Sequence, residues 1–307
     1  MKKIYFLAIV VFSTVLLILF VFYNRYRAYY KDEKIDSYIS KNIDILNDNL
    51  SFEKQYALSL SLFISQNQTI KKALHVNNQK MALKEIDKFL KDIKNSTGID
   101  NIDIQVHTKD LRAFARNWDK SDYFGLKLNG FRKGLVEVKK SKKSLVSIEL
   151  GKRLNIKAIS PILDEYHNFI GSIEIIMDFK NVEKRLKKFD LKMLPLLDEK
   201  FIDIAVYLKD NQKIGRYFIT EKEYSNELYK KLKDNINIFK KDKFYYEVDG
   251  KIIIFVPMLS VGIQDVGFIV LCMDAKQNKI YTYPRVDIER ENSNYKFNQK
   301  SRKVVIK

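Results

Sequence analysis

The chain has 307 residues, 46% of them hydrophobic, and a formal net charge of +18. Such apolar content excludes wholesale disorder, and the length suggests about two domains. A charge of this sign and size first points to nucleic acid or an anionic membrane. However, the excess lysine is interleaved with Asp and Glu along the whole chain, so no nucleic-acid partner is expected.

In chain order, "MKKIYFLAIVVFSTVLLILFVFYNR" has two lysines and then no charge from Ile4 through Asn24. Roughly 20 apolar residues span a ~30 Å hydrocarbon core. The run ends in bulky "LFVFYN" rather than at a small-residue cleavage site, which predicts an uncleaved signal anchor over residues 1–24. Tyr5, Phe22 and Tyr23 suit the two interfaces. Lys2 and Lys3 compete with Arg25 and Arg27 for the cytoplasmic side, and the very short leading tail favours a cytoplasmic N-terminus. The expected location is the inner membrane, crossed once, with the bulk of the chain extracytoplasmic (periplasmic).

Residues 25–97 read as a helical stalk. No Gly or Pro occurs between Met1 and Thr97. Ile35, Ile39, Ile43, Leu46 and Leu50 recur at steps of four or three and continue through Ala57, Leu60 and Ile64, a helical stripe. Shorter helices are predicted over Thr69–Leu74 and Asn78–Ile93. The steps are not a sustained heptad, so pairing of two chains into a homodimer along the stalk is left open.

Two internal matches follow. "DIQVHTKD" at Asp103 and "DIAVYLKD" at Asp203 share a strand-like frame at an offset of 203 − 103 = 100. "PILDEYHNFIGSIEIIMD" from Pro161 and "PMLSVGIQDVGFIVLCMD" from Pro257 both read P, nine residues, G, six residues, D, at an offset of 257 − 161 = 96. Two copies of about 90–100 residues imply two duplicated domains rather than a solenoid, set here at 98–182 and 183–275. The "KKSKK" cluster at Lys139 to Lys143 reads as a solvated turn between strands. Cys272 stands alone in an apolar strand, so no intrachain disulfide forms and a buried thiol is expected.

"IQVHTKDLRAFARNW", "GLKLNGFRKGL", "SLVSIELG" and "ISPILDEYHNFIGSIEIIMDF" resemble the membrane-distal module of double Cache sensor domains of bacterial chemoreceptors and sensor kinases or cyclases. The resemblance covers roughly Arg25 to Ala275 and rests most on Ile102 to Phe179. It implies an α+β fold: a transmembrane helix and long stalk helix, then two tandem PAS-like modules of antiparallel sheet flanked by helices. The family pattern is met at His107, Arg112, Phe114, Arg116, Gly125, Arg132, Glu149, Gly151, Lys157, Pro161, Gly171 and Glu174. The chain departs from it at Leu126–Lys127, where two acids usually stand, at Ser147 in place of Gly, and at Lys157 where Arg is frequent.

The implied function is a membrane-anchored small-molecule sensor in signal transduction or chemotaxis, binding a carboxylate or amino acid. Guanidinium forks at Arg116 and Arg132 suit carboxylates, and Trp118 and Tyr123 offer an aromatic wall. Lys157, Glu149 and Glu174 complete the candidate set, with His107 beside them. Two roles stay open for the Arg and Glu residues, ligand contact or an internal ion-pair network that fixes the fold. His107 reads more readily as a hydrogen-bonded residue at a strand end than as a ligand contact. Tyr207, Arg216, Tyr217 and Tyr245 occupy comparable places in the second copy, with no ligand assigned there.

No catalytic motif, cofactor fingerprint or metal-ligand spacing is recognisable, so neither enzymatic activity nor a metal or cofactor is expected. Residues 276–307 read as a polar tail without a recognisable transmitter, which implies either a separate signalling protein as reader or a remnant whose transmitter was lost. The rival from another class is a membrane-anchored structural or interaction protein, pilin-like or an accessory subunit, with no small-molecule ligand. "MKKIYFLAIVVF" lacks the processing site and early Glu of a pilin.

Overall fold

The computed structural model describes residues 2–118, 123–130, 132–240, 243–261 and 263–275. Side chains at 2–4, 7–10, 27–28, 30–32, 240 and 263–264 fall outside that description, as does the whole polar tail from residue 276. The chain divides into two compact units, 1–48 and 49–307, with the cut inside the first helix.

The first unit is the leading part of α1 (Lys2–Ser65), helical throughout as a segment free of Gly and Pro should be. From Val11 to Tyr23 its described large apolar side chains are exposed, Phe12 by 65% and Phe22 by 68%. Among the described residues, no helix is long and apolar enough to cross a membrane.

In the second unit, the end of α1 buries Leu50, Ala57 and Ile64, and α2 (Gln68–His75) and α3 (Gln79–Thr97) follow. Asn67 and Asn78 cap them by accepting the amide protons of Ile70 (3.0 Å) and Met81 (3.1 Å). Gly98, in the left-handed region at φ 71°, ends α3.

The first sheet contains β1 (Ile102–Thr108), β2 (Ala113–Arg116), β3 (Leu145–Leu150), β4 (Leu154–Leu163) and β5 (Phe169–Met177) in the order β2-β1-β5-β4-β3. The helix α4 (Lys133–Ser141) lies against β3, β4 and β5. After α5 (Lys180–Leu186) comes the second sheet: β6 (Lys192–Asp198), β7 (Lys213–Ile214), β8 (Tyr217–Ile219), β9 (Tyr245–Val248), β10 (Lys251–Ser260) and β11 (Ile263–Asp274). Its order is β7-β8-β6-β11-β10-β9, with α6 (Asn226–Asp234) contributing Leu228 and Leu232 to its core. Apart from β7, the two sheets share one topology, and every pairing within them is antiparallel.

The Pro–Gly repeat is a structural equivalence. Pro161 pairs with Ser172 and Ile162 with Gly171; Pro257 pairs with Phe268 and Met258 with Gly267, so the two registers coincide. The reason for glycine is the same in both. A Cβ on Gly171 would lie 2.4 Å from the His107 carbonyl oxygen of β1, and one on Gly267 would lie 2.0 Å from that of Leu196 in β6. The neighbouring strand's backbone occupies the space of a side chain.

The other match is corrected. "DIAVYLKD" is not a strand: residues 203–210 form turns around the 3-10 turn Val206–Leu208, with Ile204 38% and Val206 36% exposed. The counterpart of β1 is β6, whose letters do not resemble it. The "KKSKK" cluster is solvated as expected, but it forms the last turn and cap of α4 rather than a loop. Lysines there oppose the negative end of the helix dipole, and Lys142 at φ 53° closes it. Cys272 is buried in the second core, where burial pushes its thiol pKa up.

Between the sheets, α5 is tied to α1. Arg185 donates to Asn49 Oδ1 (2.9 Å) and pairs with Glu53 (2.6 Å), which also accepts from Asn181 (2.9 Å).

Candidate functional site

Strand alternation puts the candidate side chains of the first sheet on one face. Across β2, β1, β5 and β4, Arg116, Gln105, Glu174 and Ile159 stand in one row. The adjacent row, across β1, β5, β4 and β3, holds Asp103, Ile176, Lys157 and Ser147. The opposite face meets α1, whose Ser61 is hydrogen-bonded to Ser160 at 2.8 Å, while α4 packs on the candidate face.

Behind the face lies a buried ion network. Arg132, at the N-cap of α4, is 5% exposed and points its Nε at Glu149 Oε1 (3.1 Å). Its two terminal nitrogens grip both oxygens of Glu174, Nη1 at 3.2 Å from Oε2 and Nη2 against Oε1. Burial alone would lower the Arg132 pKa, but the carboxylates of Glu174 and Glu149 outweigh it and raise it. Burial likewise opposes ionisation of Glu174, yet Arg132 and Lys157 hold its pKa below the ordinary value. His107 Nδ1 is 3.0 Å from Ser172 Oγ. Its Nε2 lies 3.7 Å from Glu174, but burial lowers its pKa to about 4, so this contact is not an ion pair at neutral pH. One glycine makes room here, since a Cβ on Gly134 would lie 2.7 Å from Glu149 Oε2.

In front of this network is a cleft with 540 Å³ of space free of protein atoms, open solvent at its mouth included. Its described lining carries five cationic side chains (Arg116, Arg132, Lys152, Arg153 and Lys157) and one acid, Asp103. The Arg116 guanidinium stacks 4.1 Å from the Tyr123 ring and 5.5 Å from that of Trp118. Tyr123 in turn ties down the strand end, its hydroxyl accepting the Arg116 amide proton at 3.1 Å and that of Gln79 Nε2 at 3.2 Å.

Lys157 differs from the other cations. It is 4% exposed and lines the cleft, and among the described residues no hydrogen bond or ion pair holds its ammonium. Burial, reinforced by the positive charge of Arg132, lowers its pKa to about 8 against the opposing pull of the Glu174 and Glu149 carboxylates. Its Nζ fills the place beside Gly151 where a Cβ would come within 2.5 Å. A buried cation without a hydrogen-bonding partner is costly unless something supplies one.

Of the sequence-derived candidates, Arg116, Trp118, Arg132 and Lys157 line the cleft. Tyr123 backs Arg116, while Glu149, Glu174 and His107 lie in the buried network. Arg116 sits on β2 itself rather than in a connecting segment. In the second sheet, Tyr217 and Tyr245 lie on β8 and β9, and Arg216 pairs with Asp198 at 3.0 Å. Asp103, Gln105 and Asn155 also line the cleft. The signal for Asn155 was available, since it stands two residues from Lys157 on the same strand. Lys152, Arg153 and Tyr207 come from turns, where no periodicity marks them.

Tandem antiparallel sheets of one topology, with a polar cleft on the first, form a duplicated α+β domain. The chain matches the family model described as the double sensory domain of two-component sensor kinases over residues 33–275, and it belongs to that double Cache family. Among solved structures it is similar to the periplasmic domain of Vibrio cholerae LuxQ, at 11% identity over 76% of this chain and 99% of that one (TM-score 0.49). It is likewise similar to the sensor domain of the V. cholerae histidine kinase DctB (11% identity, 78% and 96% covered, TM-score 0.47). A third is the ligand-binding domain of the Campylobacter jejuni chemoreceptor Tlp3 in complex with L-valine (12% identity, 79% and 94% covered, TM-score 0.42). No curated protein matches the chain.

Proposed function

We propose that this chain is a membrane-anchored, extracytoplasmic sensor whose first module, residues 98–182, binds a small carboxylate or amino acid. The observation that carries the reading is Lys157, a largely buried side chain whose ammonium meets a cation-rich cleft with no hydrogen-bonding partner among the described residues. A ligand carboxylate supplies the missing acceptor there, and the Arg116 fork with the Trp118 ring supplies orientation. Arg132 is already gripped by two carboxylates, so it shapes the cleft more than it receives ligand. The domain binds rather than catalyses. Residues 183–275 form the second module, 25–97 the stalk and 1–24 the anchor. The exposed apolar run from Val11 to Tyr23 supports the anchor, because such a surface on a helix calls for lipid or protein cover. The sensor works as a homodimer whose state a signalling protein reads.

The test is a thermal-stability screen of small carboxylates and amino acids against the full chain in detergent. A ligand at a hundred times its Kd adds about 2.7 kcal/mol and raises Tm by several degrees. The gain disappears in Arg116→Ala. A folded chain that responds to none of them favours the interaction-protein reading.

A further inference from the structure

The wall of the cleft is not built from the first sheet alone. Tyr207 lies on the 3-10 turn Val206–Leu208, which follows β6 of the second sheet, yet its side chain lines the cleft of the first. Its amide donates to the Lys152 carbonyl at 3.0 Å, and its hydroxyl accepts from Lys152 Nζ at 3.3 Å. Lys152 and Arg153 hold their cationic groups 5.0 and 5.7 Å from the centre of its ring. One tyrosine thus engages the β3–β4 turn through its backbone, its ring and its hydroxyl.

That turn is held a second time from the same side. The Leu150 amide donates to Ser260 Oγ of β10 at 3.0 Å, and both groups are buried. From the cleft, Arg153 reaches back to Asp103 of β1 at 3.6 Å. The turn Gly151–Arg153 is therefore shared, with its side chains in the cleft and its backbone fastened to the second sheet.

We infer that Tyr207 is a cleft residue donated by the second module, and that it couples occupancy of the cleft to that module through the β3–β4 turn. An anion entering among Lys152, Arg153 and Lys157 competes with Asp103 and with the tyrosine ring for the same cations. Any shift of the turn then pulls directly on the Tyr207 backbone. Coupling of this kind is reciprocal, so loosening Tyr207 must also alter the cleft. The inference rests on the reading of this cleft as the ligand site.

Trp118 is the only tryptophan of the chain and lines the cleft, which makes its fluorescence a local reporter. With neutral acrylamide as the probe and the full chain in detergent, Tyr207→Ala raises the Trp118 quenching constant by about twofold as an aromatic wall is lost. Tyr207→Phe, which keeps the ring, stays near wild type, and so does Tyr245→Ala on β9. The second arm reads the coupling. Asp103→Asn, a change inside the cleft, frees Arg153 and speeds amide hydrogen exchange in residues 203–210, while residues 245–260 exchange as before. Unchanged acrylamide quenching in Tyr207→Ala overturns the shared wall, and unchanged exchange in Asp103→Asn overturns the coupling. If the wild-type cleft shows no preference for an anionic quencher over a cationic one, the ligand reading fails instead. The acrylamide arm, being independent of charge, still decides the role of Tyr207.

Discussion

Replacing Arg132 by Ala is expected to cost the fold roughly 3–5 kcal/mol, because removing one partner of a buried ion network strands the others. For a domain of this size that lowers Tm by about 10 °C or more. The loss arises from Glu174, which is fully buried and gripped at both oxygens, and from Glu149, which is 2% exposed. Since the folded chain holds the Glu174 pKa below its ordinary value, its contribution is present above the unfolded carboxylate pKa and is lost as pH falls through the folded one. The gap between wild type and Arg132→Ala is therefore widest at neutral pH and narrows in acid. Urea unfolding at pH 7 and pH 4 measures it. Arg132→Lys recovers only part of the loss, because an ammonium cannot reproduce the two-pronged grip on Glu174. A loss under about 1 kcal/mol for Arg132→Ala, the figure for an exposed pair, contradicts the network.

Lys157→Met is expected to act in the opposite direction on stability and to abolish ligand response. The ammonium has a pKa of about 8 in the folded chain against 10.5 ordinarily. Below pH 8 the folded state therefore carries a charge whose burial the Glu174 and Glu149 carboxylates offset only in part. Between pH 8 and 10.5 the unfolded chain holds more protons, and stability rises with pH. Removing the charge gains up to about 3 kcal/mol at pH 7, at 1.36 kcal/mol for each pKa unit. The gain fades as pH climbs towards 10.5. Parallel unfolding of the two proteins from pH 7 to 10.5 reads it. A residue retained at a cost to stability is what a binding site requires. If Lys157→Met is less stable at pH 7, the ammonium has a structural partner and the cleft reading loses its main support.

What was legible in the sequence differs between fold and site for physical reasons. The helices of residues 2–97 could be read from the absence of Gly and Pro and from apolar stripes, which are local properties. The duplication was legible at Pro161–Gly171 and Pro257–Gly267 because a backbone clash leaves no alternative residue at either glycine. The likeness of "DIQVHTKD" and "DIAVYLKD" misled, since nothing in the fold constrains those letters at the second position, where the chain forms exposed turns. At the site, the residue types pointed to anion chemistry, but not to the grip of Glu174 and Glu149 on Arg132. Arg132 and Arg116 look alike in sequence. Only the pairing of β5 with β1 and β4 brings Glu174 against the first of them. Tyr207 was beyond reach, because it enters the cleft through packing between residues some fifty positions apart.

Whether the cleft draws in small anions beside Trp118 is read by comparing iodide with caesium as quenchers of its fluorescence in the full chain. Iodide is expected to quench Trp118 far more strongly than caesium at equal ionic strength, with the preference falling in Lys157→Met and in Arg116→Ala. Equal quenching by the two ions would contradict an anion-attracting cleft, and a preference for iodide that survives both substitutions would mean that the net charge of the chain and not this cleft attracts anions.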